Sequence, residues 1–288
     1  MLKIGFHDFN GSFDWLTLDY YFLKAFRDCG IEYKLVNPVL ECADIVFKSN
    51  LNSNNNLCGN PFVVGYTNLP EYNIENTDVS LSFYNDSDSN LYYPVWQIEN
   101  GKRTLFKNTK DYKKKDLFCS FIEYSDSEKR DGTYLYICEN YKSIISCGSK
   151  WSNAGYIIDD STCKYIQDGH ERVKFNLCFE PTQSSGDLSY ISNRILNAYE
   201  YGVVPIYWGC ENITKWFNPD SFINCNGLSN EEILEKIIEV DNNEDLYRNM
   251  LYSRPFNILV DWKKYSEERL IRFLKSKNAV WKTLPWLW

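Results

Sequence analysis

The residue types best suited to chemistry gather in one stretch, residues 175–224, FNLCFEPTQSSGDLSYISNRILNAYEYGVVPIYWGCENITKWFNPDSFIN. Arg194 supplies a cation able to make charge-assisted hydrogen bonds to a phosphate. Tyr190 supplies a ring to stack and a hydroxyl to donate. Both stand near the predicted start of a helix, whose unpaired N–H groups and positive dipole end favour an anion. Together these features suit a nucleotide or phosphate ligand. The same pattern also describes a purely structural β–α–β unit with a surface arginine.

The elements that must hold these residues follow from periodicity. Residues 176–179 are apolar enough for a central strand, and residues 183–187 form a turn-rich loop at its carboxyl end. Ile191, Ile195, Ala198 and Tyr199 fall on one helical face. Gly202 stops that helix, and residues 203–207 return as a strand. Ligands of open α/β sheets bind outside the carboxyl ends of the strands, where this loop is predicted.

The rest of the chain repeats this rhythm. Residues 2–6 read as a strand. Trp15, Leu18, Phe22, Ala25, Phe26 and Cys29 recur at helical spacing before Gly30. Further strands are predicted over 33–36, 43–47 and 62–66, with polar loops at 50–56 and 86–90. Residues 100–116 are polar and basic and read as a solvated linker. A second series follows, with strands at 117–123 and 143–147, a helix over about 126–141, the strand–helix–strand segment above, and helices at 231–240, 244–252 and 262–275. The fold class is therefore α/β, with an N-terminal domain over 1–115 and a C-terminal domain with closing helices over 116–288.

Composition narrows the partners. The 288 residues carry 31 Lys plus Arg against 39 Asp plus Glu, a formal net charge of −8, which disfavours nucleic acid as a partner. No apolar run reaches the 18 or so residues of a transmembrane helix, and the first residues lack a secretory core, so a cytoplasmic location is expected. The ten cysteines show no CxxC pair and no zinc spacing, and read as mostly reduced core residues. Asp86-Ser87-Asp88 has the spacing of a metal-binding DxD element but reads as a loop. Three glycosylation sequons, at Asn10, Asn85 and Asn212, are of a kind common by chance. The aromatic tail at 281–288 reads as packing back on its own domain.

The 175–224 segment resembles the donor-domain signature of the α-1,3-fucosyltransferases of glycosyltransferase family 10, approximately FxLxFENS…YVTEK…A…VPIYWG…P.SFI. Residues 175–180, Tyr190, Arg194, Ala198, residues 204–209 and residues 218–223 follow it in order and spacing. Lys3-Ile4 and Ala43-Asp44-Ile45-Val46-Phe47 resemble the family's acceptor-domain start. The resemblance implies a GT-B-like architecture of two facing Rossmann-like α/β domains. It implies inverting transfer of a sugar, fucose from GDP-fucose above all, to a hydroxyl of a glycan acceptor, with no cofactor required and a divalent metal not essential. Another nucleotide sugar, or binding without catalysis, are the alternatives. On the donor side it implies Tyr190, Arg194 in place of the family's lysine, Arg130 or its neighbour Lys129 on the diphosphate, and Glu180 as the acid of the FEN element.

Two departures stand out. Asn193 replaces the YVTEK glutamate that faces the donor, and Thr67 stands where the family carries a proposed general base. Asp8, at the end of the first strand, and Glu71, four residues beyond Thr67, are the candidates to replace that base. His7 is suited to the same work by its titration range, and His170 has no evident partner.

Overall fold

The computed structural model describes residues 1–9, 15–49, 56–67, 76–100, 115–123, 126–146, 151–153, 172–258 and 261–277. Glu71, His170, residues 101–114 of the predicted linker and the aromatic tail lie outside these residues. Two compact units share the chain, one of residues 1–101, 186–190 and 260–288, the other of residues 102–185 and 191–259.

The first unit is built on six parallel strands: β1 (Leu2–His7), β2 (Tyr33–Leu35), β3 (Ile45–Ser49), β4 (Phe62–Tyr66), β5 (Val79–Ser82) and β6 (Asn90–Tyr92). Their order is β2-β1-β3-β4-β5-β6. The chain therefore leaves β1 towards one edge and returns from β3 towards the other, a topological switch point between β1 and β3. Every residue of β3 is buried, as a central parallel strand requires. The helix predicted from Trp15 forms as α1 (Trp15–Leu18) and α2 (Lys24–Asp28) joined by a π-helical turn, Asp19–Leu23. Gly30, at φ 69°, ends it as expected. Phe22 stacks on Phe47 at 4.7 Å and meets Tyr66 edge-on at 5.1 Å, which anchors the helix to the sheet. Each such buried ring is worth about 1.5–3 kcal/mol over exposure.

A consecutive division at 115/116 assigns the last helix to the second half of the chain. In the structure that helix, after α3 (Val95–Asn100), belongs to the first unit. It spans Trp262–Lys277 and buries Leu270, Ile271 and Leu274 in the first core. Lys263 donates to the Tyr20 carbonyl at 2.6 Å and pairs with Glu267 at 2.9 Å, while Arg269 holds Asp86. Residues 186–190 also join this unit. Ser189 N–H donates to the Phe83 carbonyl, and Tyr92 donates its hydroxyl proton to the Ser189 carbonyl. Asp86 and Asp88 lie in a loop, as read, and are held by Arg269 and Lys277.

The second unit contains β7 (Leu117–Phe121), β8 (Ile145–Ser146), β9 (Val173–Ser184), β10 (Val204–Cys210) and β11 (Ile223–Asn224), all parallel in the order β11-β10-β9-β7-β8. Helices α4 (Glu128–Asn140), α5 (Arg194–Glu200), α6 (Asn230–Asn242) and α7 (Glu244–Tyr252) follow their strands, and the Trp262–Lys277 helix is α8. Ile137, Ile233, Ile237 and Leu251 meet Phe121, Phe175, Leu177 and Ile206 in one core. Here the switch point falls between β7 and β9. Of the eight described cysteines, Cys119, Cys178, Cys210 and Cys225 are core residues as expected, while Cys42 is exposed and Cys29, Cys58 and Cys138 are partly so.

Two local expectations change. β9 runs on to Ser184 instead of ending near Glu180, and the turn falls at Gly186, φ 62°. The helix predicted from 191 begins at Arg194. Ser192 is held out of the helix because its N–H donates to Glu180 Oε1 at 2.8 Å, and its own hydroxyl accepts from Arg194 N–H at 3.3 Å. The anion at this helix entry is thus a carboxylate of the protein itself.

Candidate functional site

The β7/β9 switch point of the second unit carries a cluster of four ionisable side chains. Two come from the loop and helix after β7, Glu123 and Arg130. Glu180 lies on β9, and Arg194 opens the helix that follows it. Arg130 Nη1 lies 2.7 Å and Arg194 Nη2 3.2 Å from the same oxygen, Glu123 Oε2. Arg194 Nη1 also donates to the Ile122 carbonyl at 3.2 Å, so both ends of its guanidinium are tied to the end of β7. Glu123 and Arg130 are each 1% exposed and Glu180 is fully buried, whereas the Arg194 side chain is 28% exposed. Arg194 is thus the cation of this cluster that a ligand reaches first.

Burial is the main influence on the Arg130 guanidinium, lowering its pKa. Arg194 lowers it further, and Glu123 opposes both. Two arginines therefore share one carboxylate in a low-dielectric setting, an arrangement tuned to accept a further anion. Burial also pushes the Glu180 carboxyl above the ordinary glutamate range, against Arg194, Ser192 and Arg130. Glu180 Oε2 is buried without a hydrogen-bond partner.

A carboxyl with a raised folded-state pKa holds its proton more tightly folded than unfolded. The stability it contributes is fully present below the ordinary value of about 4.3 and is lost as pH rises through the elevated folded value. Glu180→Gln, which keeps an oxygen for Ser192, removes that dependence. The melting temperature of the variant relative to wild type is expected to climb as pH rises above about 4. A difference that does not vary with pH would contradict the raised carboxyl.

Glycine at 209 makes room for Glu180. The β9–β10 register shifts between Trp208 and Cys210, and Gly209 sits in that irregularity at φ 153°. A Cβ there would lie 2.4 Å from Glu180 Cγ and 2.7 Å from its Cβ. Asn226 pins the bulge, accepting from Gly209 N–H at 2.9 Å and donating to the Cys210 carbonyl at 2.8 Å.

The predicted residues distribute as follows. Arg130, Glu180 and Arg194 come together. Asn193 directly precedes α5, with its Oδ1 buried and unpartnered. Lys129, the alternative to Arg130, instead donates to the Leu228 carbonyl and Asn230 Oδ1, both at 3.2 Å. Tyr190 packs in the first unit, buried, with its ring edge-on to Phe83 at 4.7 Å. Glu123 was not among the predicted site residues. Its signal was a charged residue directly after the apolar run of β7.

Asp8 follows β1 in the first unit at φ 57°, with Oδ2 3.3 Å from His7 Nε2. Both line a cavity of about 620 Å³ at the carboxyl ends of β1 and β2, with Phe9, Trp15, Asn37 and Pro38. Trp15 is 59% exposed there. Thr67 is buried just past β4, and its N–H donates to the Leu81 carbonyl. Among the described residues no group of three or more His, Cys, Asp or Glu is placed to hold a metal ion. No helix of the described residues is long and apolar enough to cross a membrane.

This architecture has solved counterparts. A crystal structure of an α1,3-fucosyltransferase with GDP-fucose superposes with a TM-score of 0.75 at 22% identity, covering 96% of this chain and 90% of that one. A GDP-bound structure matches with the same score, identity and share of this chain, and 89% of that one. The expected GT-B-like α/β class is therefore correct. In sequence, the α-(1,3)-fucosyltransferase FucT of Helicobacter pylori is 30% identical over 165 residues, 55% of this chain and 33% of that protein. The chain aligns with about a third of the length of the curated relatives it matches. Residues 111–269, more than half of the chain and including Glu123, Arg130, Glu180 and Arg194, match the family described as glycosyltransferase family 10 (fucosyltransferase) C-term, and the chain belongs to that family.

Proposed function

We propose that the protein transfers fucose from GDP-fucose to a hydroxyl of a glycan acceptor, with inversion at the anomeric carbon. The observation that carries this reading is the convergence of Arg130 and Arg194 at the β7/β9 switch point of the second sheet. The nucleoside diphosphate lies against that cluster, and Arg194 makes the first contact. As the acceptor oxygen bonds to the anomeric carbon, the bond to the diphosphate oxygen breaks and GDP leaves. The arginines meet the charge that develops on it, so no divalent ion is called for. Asp8 takes the acceptor proton, oriented by His7, and Trp15 offers a ring face to the acceptor sugar. Tyr190 is the donor-side aromatic that the family resemblance names, and Asn193 offers Oδ1 to a donor hydroxyl.

The test is incubation with GDP-fucose and a panel of glycans, with and without EDTA, following release of GDP and formation of fucosylated product. Product in both conditions is expected. GDP binding without turnover on any acceptor would favour the second reading, a binding protein, which the buried Thr67 at the family's acid position supports. Arg194→Ala, at a partly exposed side chain, is expected to weaken GDP binding about 10- to 100-fold with the melting temperature nearly unchanged, the effect of deleting one charge-assisted contact. Equal GDP affinity in wild type and variant would move the diphosphate elsewhere.

A further inference from the structure

We infer that Glu123 is a positioning residue of the donor site: from the loop after β7 it aims the Arg194 guanidinium at the diphosphate. The inference rests on the diphosphate reading above and adds to it the residue that holds the arginine in place.

Three observations lead there. First, Arg194 is the partly exposed cation, yet its guanidinium is not loose, since Nη2 meets Glu123 Oε2 and Nη1 the Ile122 carbonyl, each at 3.2 Å. One guanidinium edge faces the protein, which leaves the remainder for an incoming anion. Second, Arg130 approaches the same oxygen to 2.7 Å. Two guanidiniums this close repel, and the carboxylate between them is what lets them share one site. Without it Arg194, the more exposed of the two, swings towards solvent. Third, Glu123 is the carboxylate paired with Arg194 among the described residues, while Glu180 turns Oε1 to Ser192 N–H.

Glu123 therefore acts through Arg194 in the ground state, before any bond changes. Its loss is expected to appear as weaker donor binding, with the turnover number at saturating donor little altered. A residue that served only the fold would instead lower stability without splitting donor affinity from turnover.

The experiment measures GDP affinity of wild type, Glu123→Gln and Glu123→Asp by calorimetry, with a thermal melt and the turnover number at saturating GDP-fucose of each. Wild type binds GDP if the donor reading holds; failure at that first step overturns that reading, and this inference with it. With wild type binding, Glu123→Gln is expected to raise the GDP Kd roughly 10- to 100-fold, as loss of a hydrogen bond to a charged group predicts. Glu123→Asp keeps the charge but withdraws the shared oxygen from both arginines by one methylene, and is expected to lose about ten-fold in affinity. Folded Glu123→Gln or Glu123→Asp protein with wild-type GDP affinity would overturn the inference. So would a folded Glu123→Gln protein whose turnover number at saturating donor falls as far as its affinity. If Glu123→Gln does not fold, Glu123→Asp decides.

Discussion

Asp8→Asn is expected to lower the turnover number for fucosyl transfer by about 10²- to 10⁴-fold, the usual contribution of a positioned general base. GDP affinity should stay where it was, because the diphosphate cluster lies in the other unit. The substitution is a clean probe for a local reason. Asp8 has a positive φ of 57°, a conformation asparagine also adopts readily. The amide keeps the shape of the carboxyl and its approach to His7, and loses only the ability to take a proton. A turnover number within three-fold or so of wild type would remove Asp8 from the mechanism. A simultaneous loss of GDP binding would show that the change reached beyond the acceptor side.

Gly209→Ala is expected to destabilise the second unit by roughly 3–5 kcal/mol, the sum of an overpacked core contact and a strained backbone. The added methyl would stand 2.4 Å from Glu180 Cγ, and 3.1 Å from the Tyr207 hydroxyl that accepts from Cys210 N–H. Glu180 is fully buried with Ser192 on one oxygen, so it has no open space to retreat into without breaking the entry to α5. At about 2–4 °C per kcal/mol for a chain of this size, the melt falls by about 10 °C. GDP affinity should fall with it, since Arg194 begins the helix that Ser192 and Glu180 shape. A variant that melts within 1–2 °C of wild type would mean that the β10 bulge yields easily, and that glycine there is not required by Glu180.

The sequence made the elements legible where one face of apolar residues repeats. The strands around Ile4, Val46, Val64 and Ile206 and the stops at Gly30 and Gly202 stand where periodicity and glycine placed them. Short strands with serine and asparagine at their hydrogen-bonding edges, Val79–Ser82 and Asn90–Tyr92, left no such trace, and neither did α3. The docking of α8 on the first unit was also hidden. Its amphipathic pattern shows that Leu270, Ile271 and Leu274 need a core, but not which core.

The site divides in the same way. Arg194, Glu180 and Arg130 were accessible through motif and resemblance. The bond that unites them was not, because Glu123 meets its partners only once β7 and β9 lie side by side. Periodicity gave no warning that β9 continues to Ser184, since the Gly209 bulge that carries the pairing past Glu180 is a backbone event with no hydrophobic signature. The helix begins three residues later than the apolar pattern predicts, for a related reason. Ile191 fits the apolar face, but the Glu180–Ser192 hydrogen bond delays the first helical turn.

A guanosine diphosphate sugar is expected to bind at the β7/β9 switch point through Arg194. Calorimetric titration of the wild-type protein with GDP, GDP-fucose and UDP, repeated with GDP on Arg194→Ala, tests it most directly. Saturable binding of GDP and GDP-fucose is expected, with UDP weaker by about ten-fold or more and a corresponding loss for GDP in the variant. Binding of UDP in preference to GDP, or GDP binding that survives Arg194→Ala intact, would contradict it.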